Sequence, residues 1–188
     1  MARGRKSKYI KRITGIDEEL LLLLGQVGVC SKDLILKELR IKEARVTQLV
    51  NSKYILPIMI ECKDQVIPSY KLNKIGRGYV QNEMSVVKCR VTRCDEWIFD
   101  LKLANQYLQY DDEIRCTWKN KHVLALEICR KMNSSSIKEC IDATVTIDGK
   151  LIGIEVLGRK CSNKFINYKY FLAKKYLKVD KLLEISII

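Results

Sequence analysis

Residues 140–157 constrain the fold of this chain more than any other stretch. They read as two β-strands joined by the tight turn Asp148-Gly149, because Asp-Gly between apolar runs is a strong hairpin signal. Asp142 starts the first strand, and Glu155 lies near the end of the second. In so tight a hairpin the strand ends far from the turn come close together, so we expect both carboxylates at one edge of the sheet. Paired carboxylates of this kind can hold a divalent metal, Mg²⁺ in particular, against a phosphate.

The composition predicts a globular protein with an anionic partner. Of the 188 residues, 47% are hydrophobic, which is enough for a core, and the net charge is +13. A field of this sign favours a phosphate-rich partner, for which double-stranded DNA is the expectation. The longest apolar run, Leu20 to Leu24, is far short of the roughly 20 residues that span a bilayer, so we expect no membrane partner and a cytoplasmic protein. None of the eight cysteines forms a Cys-x-x-Cys pair, which favours reduced, buried thiols over a zinc site.

The two halves of the chain differ in charge. Residues 1–90 hold 18 Lys and Arg against 9 Asp and Glu, whereas residues 91–188 hold 17 against 13. Residues 1–12 contain six cations and no acid. We expect them to form a basic arm that lies along a phosphate backbone or in a minor groove, and a solubilising tail is the alternative.

The next stretch, residues 13–85, is predicted to contain three helices followed by a hairpin. Ser31 caps the second helix, and the third runs from about Ile41 to Ser52. Residues 55–62 and 66–72 read as the strands of the hairpin. This order is that of a winged helix-turn-helix domain, in which the third helix enters the major groove of DNA and the hairpin contacts the backbone.

The outward side chains of this region have the chemistry to bind DNA. Arg45 and Gln48 can read base edges, with Lys42 and Asn51 beside them on the third helix. Further cations suit phosphate contacts. The predicted contacts are Lys42, Arg45, Gln48, Asn51, Lys53, Lys63, Lys71, Lys74 and Arg77, with Arg3, Arg5 and Lys6 in the arm. A winged helix used for protein contacts is the alternative.

The second half, residues 90–188, is predicted to be a small α/β domain. A helix is expected around Trp97 to Tyr110, with Ile98, Leu101 and Leu108, joined by Ala104 and Asn105, on one side. Residues 112–118 alternate as in a strand, and residues 122–132 fit either a short helix or a buried strand. After the hairpin come a helix over 163–177 and a final buried strand over 182–188. This order is the core of the restriction-endonuclease-like fold.

Several pieces spread over both halves match a known family pattern. They are residues 17–25, 46–55, Tyr70-x-Leu-x-x-x-Gly76, Asp95 to Leu108, Ile-Asp-Ala (141–143), Ile-Glu-Val (154–156) and the helix that follows. With these pieces the chain resembles the replication-relaxation family of plasmid and mobile-element proteins. The resemblance implies an α+β protein with an N-terminal winged helix and a C-terminal nuclease-like domain. It also implies a DNA-binding accessory role in the replication or transfer of a plasmid, phage or other mobile element.

The chain departs from the catalytic nuclease pattern where it matters most. Leu157 stands in place of the usual lysine, whose charge would stabilise the phosphate during cleavage. Lys160 substitutes only if the chain bends back to Asp142 and Glu155. Glu96 and Asp100, on the preceding helix, are the candidates for a third carboxylate.

Three functions stay open on the sequence. The first is DNA binding by a winged helix, with a nuclease-like domain that lacks activity and serves dimerisation, clamping or partner contacts. The second is an Mg²⁺-dependent endonuclease that uses Asp142, Glu155 and Lys160, with the two acids as metal ligands. The third is a transcriptional regulator. A homodimer and contacts with replication or transfer proteins are compatible with all three, and the first requires no cofactor.

Overall fold

Helices and strands are interspersed along the whole chain, and the fold class is mixed α+β. The structure is a computed structural model that describes residues 7–62, 65–137, 139–158 and 162–187. In the first half, the elements are α1 (Gly15–Val27), β1 (Val29–Ser31), α2 (Lys32–Glu38), α3 (Glu43–Asn51), β2 (Ile55–Cys62), β3 (Gln65–Leu72) and α4 (Lys74–Glu83). In the second half, they are α5 (Trp97–Leu108), α6 (Asp112–Arg115), β4 (Lys119–Asn120), α7 (Lys121–Met132), β5 (Ala143–Ile147), β6 (Lys150–Leu157), α8 (Asn163–Leu172, continued by a π-helical turn Ala173–Leu177) and β7 (Lys181–Ser186).

A three-stranded antiparallel sheet organises the first half. Its order is β1-β3-β2, and the predicted hairpin of β2 and β3 is confirmed, with Ile55 opposite Leu72. The short strand β1 pairs with β3 near residues 69–71, so the outer part of the hairpin extends beyond it. Neither β1 nor α4 was predicted. The three residues of β1 carry no periodic signal, and the sequence of residues 70–79 resembles the closing strand and turn of many winged-helix domains rather than a helix.

A four-stranded sheet organises the second half, in the order β4-β5-β6-β7. The predicted hairpin of β5 and β6 is confirmed, and both residues of its turn have positive φ (+49° for Asp148, +72° for Gly149). This is the conformation for which Asp-Gly is selected in two-residue turns. β7 pairs parallel with β6 after the crossover through α8, so the predicted final helix and strand are also confirmed. The strand is not buried as predicted, because β7 lies at the edge of the sheet and its residues are half-buried or exposed.

One apolar cluster runs through both halves. It joins Leu20, Leu24 and Leu49 of the first half to Tyr107 and Val145 of the second, all of them buried. Helix α1 lies at the centre of this arrangement, where it contacts α4, α5 and β4. A second, smaller cluster fills the space between α7, α8 and the second sheet. Packing of α1 therefore ties the sheets to each other.

Two predictions for the second half are wrong. Residues 112–118 begin as the one-turn helix α6, because the Asp111 carboxylate accepts a hydrogen bond from the Ile114 amide (3.0 Å) and caps the turn. The inward face of α5 is formed by Asp100, Leu103, Ala104 and Tyr107. On the predicted side, Ala104 is buried, but Ile98, Leu101 and Leu108 are only half-buried and Asn105 is exposed. A count of apolar residues does not place an aspartate in a core, so Asp100 was not expected on the inward face.

The cysteines are not uniformly buried. Cys30, Cys89 and Cys140 are buried free thiols, whereas the free thiols of Cys94 and Cys116 are exposed. Burial raises the pKa of the Cys30 thiol to about 12, which keeps that thiol protonated and unreactive. Among the described residues, no helix is both long and apolar enough to cross a membrane.

Candidate functional site

Helix α3 positions the residues that were predicted to read DNA bases. Val46 and Leu49 are buried under it. Arg45 and Gln48 were predicted to face outward, but both are half-buried and lie beside the buried residues. Both Arg45 Nε and Nη2 donate to the Asp17 carboxylate, at 2.9 and 2.6 Å. Burial would raise the pKa of Asp17, but the hydrogen bonds from Arg45 and Thr14 outweigh it and hold the pKa below its usual value. Arg45 is therefore a half-buried ion-pair partner as well as a candidate contact.

The chain segment before α1 lies on the same face of α3. We call residues 7–12 the N-terminal strap. Gln48 Nε2 donates to the Ser7 carbonyl (2.8 Å), and Asn51 Nδ2 donates to the Lys8 carbonyl (3.1 Å). Arg45 Nη2 donates to the Arg12 carbonyl at 2.6 Å. The side chains predicted to contact bases are thus brought together, and in this conformation they hold the protein's own backbone.

The predicted phosphate contacts divide into two groups. Lys42, Lys53 and Lys74 are exposed, and within the described residues no carboxylate pairs with them. Lys71 and Arg77 are half-buried and line a common cleft of about 170 Å³. The ammonium of Lys71 also lies 4.7 Å from the centroid of the Trp97 ring, a cation–π contact with α5. Arg3, Arg5, Lys6 and Lys63 lie outside the described residues.

Asp142 and Glu155 come together in the second half, as the hairpin predicts. Ala143 of β5 is opposite Ile154 of β6, so Asp142 and Glu155 are next to this pair, one on each strand. The Val156 amide donates to Asp142 Oδ2 at 3.0 Å. Both carboxylates are buried, with relative exposures of 5% and 1%, and both line a pocket of about 170 Å³.

Arg90 is the cation that holds this region together. It is 4% exposed and belongs to the irregular segment between α4 and α5. Its Nε donates to Asp100 Oδ1 (2.8 Å), and its Nη2 donates to Asp142 Oδ1 (3.2 Å). The second oxygen of Asp100 accepts a hydrogen bond from the Thr92 hydroxyl. Arg90 thus bridges two buried carboxylates, one on α5 and one before β5.

Lys169 of α8 supplies the second buried cation. Its Nζ donates to Glu155 Oε1 at 2.6 Å and lies 3.9 Å from Glu139 Oε2. Lys121 of α7 contacts the same Glu139 at 3.0 Å and also lies 3.9 Å from Glu96. We call these seven residues the charge cluster: Arg90, Asp100, Lys121, Glu139, Asp142, Glu155 and Lys169.

Burial shifts two acids of the charge cluster, Asp100 and Glu155, towards their neutral forms. Burial, only partly offset by Arg90, raises the pKa of Asp100 to about 6. Burial and the neighbouring charge of Asp142 raise the pKa of Glu155 to about 7, against the opposing effect of Lys169. Burial would lower the pKa of Lys121, but its hydrogen bond to Glu139 and the charge of Asp142 raise it overall. The lysine therefore stays charged, while Glu155 titrates near neutrality.

The charge cluster does not fit a magnesium ion. Mg²⁺ needs free oxygen ligands in near-octahedral geometry, whereas Arg90 and the Val156 amide engage both oxygens of Asp142. Lys169 donates to Oε1 of Glu155. The other oxygen of that carboxylate, Oε2, is buried and has no hydrogen-bond partner among the described residues. Across the same residues, no three His, Cys, Asp or Glu side chains are grouped to hold a metal. Lys160, the predicted assisting cation, lies outside the described residues.

Sequence reasoning missed the cations of the charge cluster. Arg90 lies in a segment without periodicity, so nothing local marks it as buried. Lys169 did carry a signal, because it shares the inward face of α8 with Leu172, and a lysine on such a face needs a carboxylate partner.

Comparison of the chain with protein-family models, curated proteins and solved structures finds no match.

Proposed function

We propose that this chain is a DNA-binding protein in which the first half holds a duplex and the second half is a nuclease-like domain without catalytic activity. The observation that carries the proposal is a set of exposed cations around α3 and the hairpin that pair with no carboxylate in the described part of the chain, namely Lys42, Lys53 and Lys74. Unpaired cations keep their full attraction for phosphate, whereas cations in ion pairs have lost most of it.

The arrangement of elements in the first half supports a winged helix. The order α1, β1, α2, α3, β2, β3, with β1 added to the edge of the hairpin strand β3, places α3 as the third helix. In winged helix-turn-helix domains this helix enters the major groove and the hairpin contacts the backbone. The outer part of the β2–β3 hairpin is free of β1, as a wing that reaches a duplex must be.

The interior of the charge cluster supports the absence of catalysis. Arg90 occupies the space between Asp100 and Asp142 with direct hydrogen bonds to both carboxylates. A cation fixed in this position neutralises the acids that a nuclease would use to bind a metal. The geometry is that of a structural ion-pair network, and an endonuclease centred on Asp142 and Glu155 is the weaker proposal.

The biological role that we propose is accessory action in the replication or transfer of a mobile element, or in its regulation. It follows from the resemblance to the replication-relaxation family, which the winged-helix order of the first half supports. A transcriptional regulator would use the same first half. Footprinting on DNA from the same element separates these roles, since replication or transfer predicts protection at an origin and regulation predicts protection at a promoter.

Duplex binding is tested by fluorescence anisotropy with a labelled duplex over a range of salt concentrations. The double variant Lys42→Ala/Lys53→Ala should lower the slope of log K against log salt by about 2, one unit for each lost phosphate contact. Lys150→Ala/Lys181→Ala, which removes two exposed lysines of the second half, is the charge-matched control and should leave the slope unchanged. Absence of duplex binding at low salt, or equal losses in both variants, would overturn the proposal.

Catalysis is tested by incubating the protein with supercoiled plasmid and Mg²⁺ or Mn²⁺. We expect the plasmid to stay intact. Cleavage that persists in the purified protein and disappears in Glu155→Ala would show an endonuclease instead, because a contaminating nuclease would not respond to that substitution.

A further inference from the structure

Helix α8 and its π-helical continuation combine aromatic rings with lysines in an unusual way. Residues 163–178 contain five lysines, five aromatic residues and no acid. One of the lysines, Lys169, points inward to Glu155 and anchors the helix to the charge cluster. The other lysines are exposed, and within the described residues they have no carboxylate partner. They are Lys164, Lys174, Lys175 and Lys178.

The exposed rings and lysines form a line along α8. Lys164, Tyr168 and Phe171 follow one another at intervals of four and three residues, which places them on one face of the helix. Tyr168 is 43% exposed and Phe171 is 54% exposed, although large aromatic rings are normally covered. The Lys175 ammonium lies 5.2 Å from the centroid of the Phe171 ring and extends the line. We call these four residues the aromatic stripe.

A shallow groove accompanies the aromatic stripe. It has a volume of about 540 Å³ and is lined by Phe171, Lys175, Asn167 and Leu182, among others. Tyr170 closes one side, where its hydroxyl donates to Glu184 Oε1 at 2.7 Å. The groove thus brings the apolar side chains of Phe171 and Leu182 next to the amide of Asn167 and the ammonium of Lys175.

We infer that the aromatic stripe binds single-stranded DNA. Unpaired bases would stack on Tyr168 and Phe171, and the intervening phosphates would lie beside Lys164 and Lys175. Cβ atoms three residues apart on a helix are about 5–6 Å from each other, which allows neighbouring rings to engage neighbouring bases. A duplex fits less well, because its base faces are already stacked. The choice of DNA rather than RNA as the ligand rests on the proposed function. The inference that the aromatic stripe binds a single-stranded nucleic acid does not.

A second copy of the chain is a poorer occupant. A two-fold contact between identical surfaces would bring the lysines of one stripe against the lysines of the other. Like charges placed opposite each other across an interface oppose association. A polyanion with exposed rings satisfies both the charges and the apolar surface of the stripe.

The test is anisotropy of a fluorescein-labelled oligothymidylate titrated with the full chain. Phe171→Ala and Tyr168→Ala should each weaken binding by about tenfold, since each removes one stacking partner. Phe171→Tyr and Tyr168→Phe keep the rings and should retain binding within about twofold. Lys164→Ala/Lys175→Ala should lower the salt slope by about 1.4, with Lys150→Ala/Lys181→Ala again as the charge-matched control.

Three results would overturn the inference. The first is equal affinity of Phe171→Ala and Phe171→Tyr for oligothymidylate. The second is tighter binding of oligouridylate, which would make RNA the occupant. The third is a change of sedimentation coefficient in Phe171→Ala without a change of oligonucleotide affinity, which would assign the stripe to self-association. Binding of the labelled duplex by Phe171→Ala separates this inference from the proposed function, because duplex binding should be unaffected.

Discussion

Two arginine–carboxylate pairs, one in each half of the molecule, show how burial changes the role of the same chemistry. In the first half, Arg45 binds the fully buried Asp17, but the arginine side chain itself is 24% exposed. In the second half, the side chain of Arg90 is only 1% exposed and pairs with two buried acids. Loss of Arg45 would let water reach Asp17 from the surface. Loss of Arg90 would leave two buried carboxylates without their guanidinium partner, so the two pairs should respond very differently to substitution.

The largest effect should follow from Arg90→Met. This change removes the charge that compensates Asp100 and Asp142 while it keeps most of the side-chain volume. We expect the free energy of unfolding, measured by urea denaturation at neutral pH, to fall by about 3–5 kcal/mol. Arg93→Met is the matched control, and its free energy of unfolding should stay within about 0.5 kcal/mol of the wild type. Arg93 is exposed, and its contact with the exposed Asp95 is long, at 3.8 Å. Equal losses in the two variants would contradict the assigned role of Arg90.

Glu155 should make stability depend on pH in the direction opposite to an ordinary salt-bridged acid. Its pKa is raised from 4.5 to about 7, so between these values the native state binds a proton more tightly than the unfolded state does. The stability contributed by this group therefore falls by about 3 kcal/mol in total as the pH rises through that interval, and it is level above the interval.

The measurement is urea denaturation of the wild type and Glu155→Gln between pH 5 and pH 8. The difference between them should grow in favour of the variant as the pH rises. Some decline should persist in Glu155→Gln, because Asp100, with its pKa near 6, acts in the same direction. Glu61→Gln, at an exposed position of β2, is the control. A difference that does not change with pH would show that Glu155 is ionised throughout.

A smaller loss is expected for Arg45→Met, about 1–2 kcal/mol at neutral pH. The Asp17 carboxylate keeps its hydrogen bonds from the backbone amide and hydroxyl of Thr14, at 2.7 and 2.8 Å, and gains access to water. Lys42→Met, at the cap of the same helix, tests the general effect of removing a cation there and should be near neutral. A loss as large as that of Arg90→Met would remove the contrast between the two pairs.

The smallest effect on stability concerns the N-terminal strap. The double variant Gln48→Ala/Asn51→Ala removes two hydrogen bonds to the strap but no buried group, so the free energy of unfolding should change by less than about 1 kcal/mol. The N-terminal strap should become more accessible to trypsin. In a limited digestion, the rate of cleavage after Lys8, Lys11 or Arg12 should rise by up to about tenfold. Thr47→Ala, on the exposed side of the same helix, should leave the cleavage rate unchanged.

Local signals in the sequence were sufficient for the elements that depend on local chemistry. The Asp148-Gly149 turn and the apolar residues around it predict β5 and β6 without reference to the rest of the chain. The periodicity of Val46 and Leu49 predicts α3 in the same way. In contrast, residues 112–118 alternate by coincidence, and their conformation follows from the capping carboxylate of Asp111.

The charge cluster was only partly predictable for a related reason. Asp142 and Glu155 share a hairpin, so their proximity follows from the pairing of adjacent strands. Arg90 lies 52 residues before Asp142, and their contact depends on how α1, α5 and the second sheet pack together. Tertiary packing of this kind leaves no periodic trace in the sequence. A buried arginine is therefore found only when the structure shows which acids surround it.

The backbone of Arg90 has a consequence for how such a protein can evolve. Its amide donates to the Gly25 carbonyl of α1 at 2.7 Å, while its side chain reaches into the opposite sheet. Nearby, Gly28 has φ +91°, and a Cβ there would lie 2.5 Å from Asp100 Oδ2. Neither half is thus an interchangeable module. A recombinant in which one half is replaced would need a helix that packs as α1 does and carboxylates that accept from the Arg90 guanidinium. The two halves are therefore expected to be inherited as a unit.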